Sequence, residues 1–424
     1  MKKTAFFKIF SIFTLSFFLF SCKFQQQEQK KRVVIWTSCS EFVQYIELFN
    51  KTHKENNAIL VYKENPALSI PPARDETPPD IIIGSWLRND APYKYCKPLD
   101  YIFYNKILSS DVFYKQLFEA GKKNNLQFLL PVSFNLPTIV FSQENKNLVP
   151  DNYTLTFEQI RKTGAEFNTK NDKGVFTKIG FTPLSNNDFL YLSTKIFDVN
   201  FREENGKIIW NSEKLQETTD KLKDWIFTEN ESAQTEQDFA FKYLFMPYYR
   251  QVISDRTLYA YTTSDQLFKT IKNQDFGIDY RWVVQNKKIP IEDSMIMLGI
   301  YKECRNQPGA TEFISWFFNV DNQQKILERK EKLNLDTELF GISGGFSSIR
   351  DVTEHILPVF YTHLLTNLPP SQMLSVPQKL PARWDSYKSL VIEPYLRSII
   401  TAQPEETVMS IEDLESEWRR KVFD

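Results

Sequence analysis

Two prolines do most to limit the folds open to this chain. Pro131 and Pro137 bracket Val132-Ser133-Phe134-Asn135-Leu136, with the apolar runs Phe128-Leu129-Leu130 before them and Thr138-Ile139-Val140-Phe141 after. Each proline fixes its own φ and pushes the residue before it toward extended backbone. The stretch is therefore predicted to be a stiff, extended crossover between two strands rather than a long loop. With 424 residues, the chain exceeds one ordinary core and suits two lobes.

Strand and helix signals alternate around this crossover. Val33-Val34-Ile35-Trp36 reads as a buried strand that runs into the polar Thr37-Ser38-Cys39-Ser40. Phe42, Tyr45, Ile46 and Phe49 follow at helical spacing, with Ser40 as a candidate N-cap. Asp80-Ile81-Ile82-Ile83-Gly84 predicts a second buried strand, and Leu258–Tyr261 and Ser294–Tyr301 two more. Leu215, Thr219, Leu222 and Ile226 mark one amphipathic helix. Pro308-Gly309 precedes another, carrying Phe313, Ile314, Phe317 and Phe318. Strand, polar loop, helix is the opening of an α/β unit.

The N-terminus predicts export. Lys2 and Lys3 precede an apolar run from Phe6 to Phe20, broken by Lys8 and too short to span a bilayer core. Residues 1–21 read as a signal peptide ending Leu19-Phe20-Ser21 before Cys22, which resembles a bacterial lipobox; Phe20 departs from its usual small or aliphatic residue. Lipidation of Cys22 would anchor the chain at the cell envelope, since each buried methylene adds ~0.8 kcal/mol. Residues 22–32 read as a Gln-rich flexible tether. The three remaining cysteines, Cys39, Cys96 and Cys304, allow at most one internal disulfide.

Composition narrows the function. Fifty-two basic and 53 acidic residues give a net charge of -1, which offers a nucleic-acid duplex no general basic surplus. Three histidines, no HExxH and no CxxC leave no motif for a metal; no metal or cofactor is expected. Gly344-Gly345-Phe346-Ser347-Ser348 lacks the Lys-Ser/Thr pair of a phosphate loop and reads as a backbone turn.

The order of segments resembles the extracellular solute-binding proteins of ABC importers, in their sugar-binding branch. Val33 to Asn50, Pro79-Asp80-Ile81-Ile82, Leu130-Pro131-Val132, Gly206-Lys207-Ile208 and Ala310 to Gln324 carry the resemblance, which spans about Val33 to Trp418. It implies an α/β, two-lobe, periplasmic-binding-protein-like fold, each lobe a mixed sheet flanked by helices, with a cleft between them. Residues 33–133 and 292–335 would form lobe one, and 136–289 with 336–424 lobe two. Hinges would lie near 134–135 and 290–292. The implied partners are a small solute, the importer's permease subunits and, through the lipid, a membrane; the implied state is a monomer.

A sugar presents apolar ring faces and a rim of hydroxyls, so its site needs flat aromatics with carboxylates or amides. Strand ends and the resemblance select Ser38, Glu41, Trp86, Phe134, Asn135, Asn187, Asp188, Asp265 and Trp384. Four of them have a plainer reading: a loop or capping hydroxyl for Ser38, a solvated first-turn acid for Glu41, lobe packing for Trp86, a helix N-cap for Asp188. Ser264-Asp265 stands where relatives often place an aromatic, which argues against stacking there. Capture of a small solute, a sugar or oligosaccharide, for an ABC importer by hinge closure is the leading function. An adhesin or sensor module of the same fold is the alternative. A surface glycosidase ranks below both, because no motif places two carboxylates on neighbouring strand ends.

Overall fold

The computed structural model describes residues 31–423, except 152, 273, 336–338 and 404. The expected signal peptide and Cys22 lie outside the described residues. Strand β1 (Lys31–Thr37) opens the fold, followed by helix α1 (Phe42–Thr52), β2 (Asn56–Tyr62) and β3 (Ile81–Gly84). β1 begins two residues earlier than its apolar run, so Lys31 and Arg32 are strand rather than tether; Lys31 and Arg32 pair with Asn56 and Asn57. Ladder hydrogen bonds, which no side-chain pattern reports, carry the strand past its apolar residues. Helix α1 is capped by the backbone of Glu41, not by the side chain of Ser40.

The predicted crossover is real. β4 (Leu130–Phe134) and β5 (Pro137–Ser142) are consecutive strands that belong to different sheets. The second sheet also holds β6 (Thr154–Leu155), β7 (Ala260–Thr263) and β8 (Ile278–Val283), in the order β7-β5-β8-β6. The chain then returns through β9 (Ile289–Pro290) to β10 (Ile296–Ile300), which sits in the first sheet. The two crossings touch, the Glu292 N–H donating to the Asn135 carbonyl at 2.9 Å.

The first sheet runs β11-β4-β10-β3-β1-β2, where β11 is Phe346–Ser347. β1 pairs parallel with β2 and β3, while β10 runs antiparallel to β3 and β4. Residues 336–424 are therefore not one block of the second lobe. Phe346 and Ser347 pair with Phe134 and Ser133, because the edge of β4 leaves backbone groups that need a partner. Gly344-Gly345 does turn the chain, Gly344 with φ of 71°, and delivers it to that edge.

Ile81-Ile82-Ile83 is apolar throughout because the strand is buried on both faces of its sheet. Helix α5 (Gln307–Phe317) buries Phe313, Ile314 and Phe317 against this lobe, with Pro308 and Gly309 inside its first turn rather than ahead of it. Asp80, in the Pro-Asp run, joins three segments: its carboxylate accepts from the N–H of Val34, Arg305 and Asn306 at 2.7–2.9 Å. The cysteines described, Cys39, Cys96 and Cys304, are free. Among the described residues no helix is long and apolar enough to cross a membrane.

Candidate functional site

The site lies where segments of the first sheet's loops meet helices packed on the second. Trp86 leaves the carboxyl end of β3 with φ of 64°, a conformation that costs a bulky residue about 1–3 kcal/mol. Its indole Nε1 donates to Asp385 Oδ2 at 3.0 Å. Burial pushes the Asp385 carboxyl up, and the Trp86 hydrogen bond opposes the push. Two further bonds tie loops after β2 and β3 to the 377–385 stretch: Asn65 Nδ2 to the Ala382 carbonyl at 2.8 Å and Arg88 to the Pro377 carbonyl at 2.9 Å.

Trp384, beside Asp385, is fully buried. It stacks on Tyr387 at 5.4 Å and meets Tyr191 and Phe201 at 6.2 and 6.0 Å. Tyr191 comes from helix α3 (Asn187–Ile196), whose N-cap is Asn186, its side chain accepting from the Phe189 N–H. Asp188 is thus left to pair with Lys388, which also lies 4.8 Å over the Tyr191 ring.

The second crossing supplies the charged centre. Tyr191 donates its hydroxyl to Asp293, and Lys195 Nζ donates to Asp293 Oδ1 and the Ile291 carbonyl, both at 2.7 Å. Among the described residues, Glu292 receives only a long hydrogen bond, from the Tyr261 hydroxyl at 3.5 Å. Burial pushes its carboxyl up to about 7, against the pull of Lys195 and Lys388. A carboxyl so placed donates as an acid or accepts as a carboxylate near neutral pH. The centre assembles flat rings, carboxyls and ammonium groups, of which Asp293, Asp188, Lys195 and Lys388 are held by one another.

The nine expected residues divide. Trp86, Trp384 and Asp188 converge on this centre through Asp385 and Lys388. Glu41 does not: it is buried in an ion pair with Lys330, whose Nζ also donates to the carbonyls of Leu339 and Gly341. Phe134 is buried between Tyr114 and Phe346. Asn135 locks the first crossing, donating to the Gly344 carbonyl and accepting from Ser264 Oγ, each at 2.8 Å. Asn187 accepts from Arg397 at 2.8 Å. Ser38 is half-buried after β1, and Asp265 half-buried in the first turn of the helix that starts at Ser264. Sequence reasoning missed Arg88, Tyr191, Lys195, Asp293, Asp385 and Lys388. The adjacent acids Glu292-Asp293 at a strand entry were the one available signal.

No family model matches the sequence, and no curated protein does. Solved structures match over nearly the whole length. CpMnBP1 with mannotriose bound is 14% identical, covering 92% of this chain and 99% of that one, with a TM-score of 0.59. An ABC substrate-binding protein from Listeria monocytogenes in complex with cycloalternan is 12% identical, covering 93% and 100%, TM-score 0.59. The cyclic alpha-maltosyl-1,6-maltose binding protein from Arthrobacter globiformis is 12% identical, covering 93% and 98%, TM-score 0.57. These neighbours are binding proteins rather than enzymes, and this chain has their two-lobe periplasmic-binding-protein fold.

Proposed function

We propose that this protein captures a carbohydrate between its lobes and delivers it to an ABC importer, held at the cell envelope by lipid on Cys22. The observation that carries the reading is the Trp86–Asp385 hydrogen bond. It joins an aromatic of the first lobe to a carboxyl of the second, beside the buried Trp384 and Tyr191. Those are the group types that a sugar's ring faces and hydroxyls require. A hydroxyl entering there exchanges one hydrogen bond for two and closes the lobes on the solute by rotation at the two crossings. The ligands bound by the neighbours, mannotriose and cycloalternan, are of this class.

Calorimetry with linear and cyclic oligosaccharides tests it. At least one binds with micromolar affinity, about -8 kcal/mol, and Trp86→Ala weakens it at least ~10-fold, about 1.4 kcal/mol. A broad panel that gives neither heat nor thermal shift removes the carbohydrate assignment. Radiolabelled palmitate incorporated by the natural protein and lost in Cys22→Ala checks the anchor.

A further inference from the structure

One stretch of the second lobe's surface is both strongly apolar and free of acids. Phe241, Leu244 and Phe245 are 78, 63 and 95% exposed. They stand at the end of the helix Ala233–Lys242 and in the turn that follows it. From Phe239 to Ser254 the chain holds no acidic residue; Asp238 and Asp255 flank the stretch. We propose that this face is a bilayer-contact surface. The three apolar side chains enter the headgroup boundary of an anionic membrane, and Lys242, Arg250 and Arg256 meet its phosphates.

The turn is held in place from below. Phe239 packs with Phe176 and Ile179 in a small core of their own, and Tyr243 meets Phe239 at 5.0 Å. The N–H groups of Leu244 and Met246 donate to the carbonyls of Phe241 and Tyr243, and Gln251 Nε2 donates to the Met246 carbonyl at 2.9 Å. Backbone groups bonded within the protein suit entry into a medium poor in water. The apolar side chains meanwhile face water together, and such a patch marks an interaction surface.

Charge selects the occupant. Lys242 and Arg256 lie over the Tyr243 ring at 5.3 and 5.8 Å, and Arg250 over the Tyr249 ring at 5.9 Å. Among the described residues none of these three cations makes an ion pair. The acids nearby are engaged or buried: Asp238 accepts from Gln234, Asp255 is bonded to Asn145 and Lys178, and Glu236 is buried. Free cations beside exposed rings complement anionic headgroups. Tyr243, Tyr248 and Tyr249 add the residue type enriched at the membrane–water boundary. A fluid bilayer also accepts a side chain projecting as far as Phe245 without a matching pocket, which a second copy of the chain would have to supply.

The lipid proposed on Cys22 brings a bilayer within reach, and the surface rests on that envelope reading. The chain from Cys22 enters the first lobe at β1. The contact face belongs to the second, where the helix Tyr248–Ile253 packs on β5 and β7. Tethered through one lobe and seated through the other, the protein lies along the membrane.

Hydrogen exchange read by mass spectrometry tests this, on the full natural protein in vesicles of phosphatidylglycerol with phosphatidylcholine and in phosphatidylcholine alone. On the mixed vesicles the amides of 241–250 exchange about 10-fold more slowly in the natural protein than in Phe245→Glu. The difference shrinks on phosphatidylcholine alone, and Lys242→Gln with Arg250→Gln abolishes that dependence on lipid charge. All three side chains are exposed, so Tm without lipid stays unchanged; should Phe245→Glu lower it, the charge pair decides. Equal exchange in the natural and Phe245→Glu proteins on mixed vesicles overturns the surface. So does slowing that arises without lipid and grows with protein concentration, the mark of a second copy, and so does slowing that requires permease subunits in the membrane. Intact mass separates this surface from the anchor. Lipid on Cys22 with no slowing at 241–250 keeps the anchor and removes the surface. No lipid on Cys22, with natural protein that pellets with mixed vesicles and Phe245→Glu that does not, keeps the surface and removes the anchor.

Discussion

Two glutamates follow strand ends in this protein, and their surroundings differ in kind. Glu41 lies after β1, buried in direct contact with the Lys330 ammonium, which the carbonyls of Leu339 and Gly341 also hold. Glu292 lies on the second crossing. The two ammonium groups that act on it, Lys195 and Lys388, are bonded to Asp293 and Asp188 instead. Burial pushes both carboxyls up, but only Glu41 has a cation in contact to oppose it. The first arrangement ties one carboxylate oxygen to a cation in contact; the second leaves a half-buried carboxyl without one. What separates the two acids is not burial but the cation in contact.

The comparison is sharpest at Lys330. Lys330→Met strands the Glu41 carboxyl and costs about 3–5 kcal/mol, read as a lower midpoint in urea unfolding. A loss under about 1 kcal/mol would show that the pair fixes nothing.

Glu292 is next, through pH. Its folded value, about 7, stands above the ordinary 4.5, so the folded state holds the proton more tightly. Its contribution is fully present below about pH 4.5 and is lost as pH rises toward 7. Glu292→Gln removes that loss and is more stable than the natural protein at pH 8, by up to about 3 kcal/mol, with no such gain at pH 4. Glu236, buried and also raised to about 7, contributes slope of the same sign to both proteins, so only their difference reports Glu292. Equal slopes would break the contrast with Glu41.

Trp86→Phe keeps a ring but removes the donor to Asp385. It lowers stability by about 1–2 kcal/mol; the strain of the φ of 64° is common to both residues and cancels. The smallest effect belongs to the exposed counterpart of the Glu41 pair. Lys122 and Glu119 meet at 2.6 Å, three residues apart on the surface, and Lys122→Ala changes the unfolding midpoint by no more than about 0.5 kcal/mol. Together the series separates contact from burial as the source of the Lys330 effect.

Much of the framework was legible. The proline-bracketed crossover, the apolar run of β3 and the aromatic spacing of α1 and α5 are local patterns, and local patterns report local structure. The candidate site was legible in part. Trp86 and Trp384 are large, rare residues beside strand or helix boundaries, and the structure brings them to one centre. Glu41 and Asn187 look like ligand groups for the same reasons, yet Lys330 and Arg397 occupy them, from 289 and 210 residues away. No spacing rule reaches that far.

By itself, the sequence determined an α/β chain that crosses between two sheets at Pro131–Pro137, because proline restricts φ wherever it stands and apolar periodicity selects the element. Only the tertiary structure decided which polar groups remain available. It paired Glu41 with Lys330, gave Phe346–Ser347 to the first sheet, and set Glu292 between ammonium groups already engaged elsewhere. Hydrogen bonds and ion pairs act over a few ångströms of space, and the distance along the chain does not enter them.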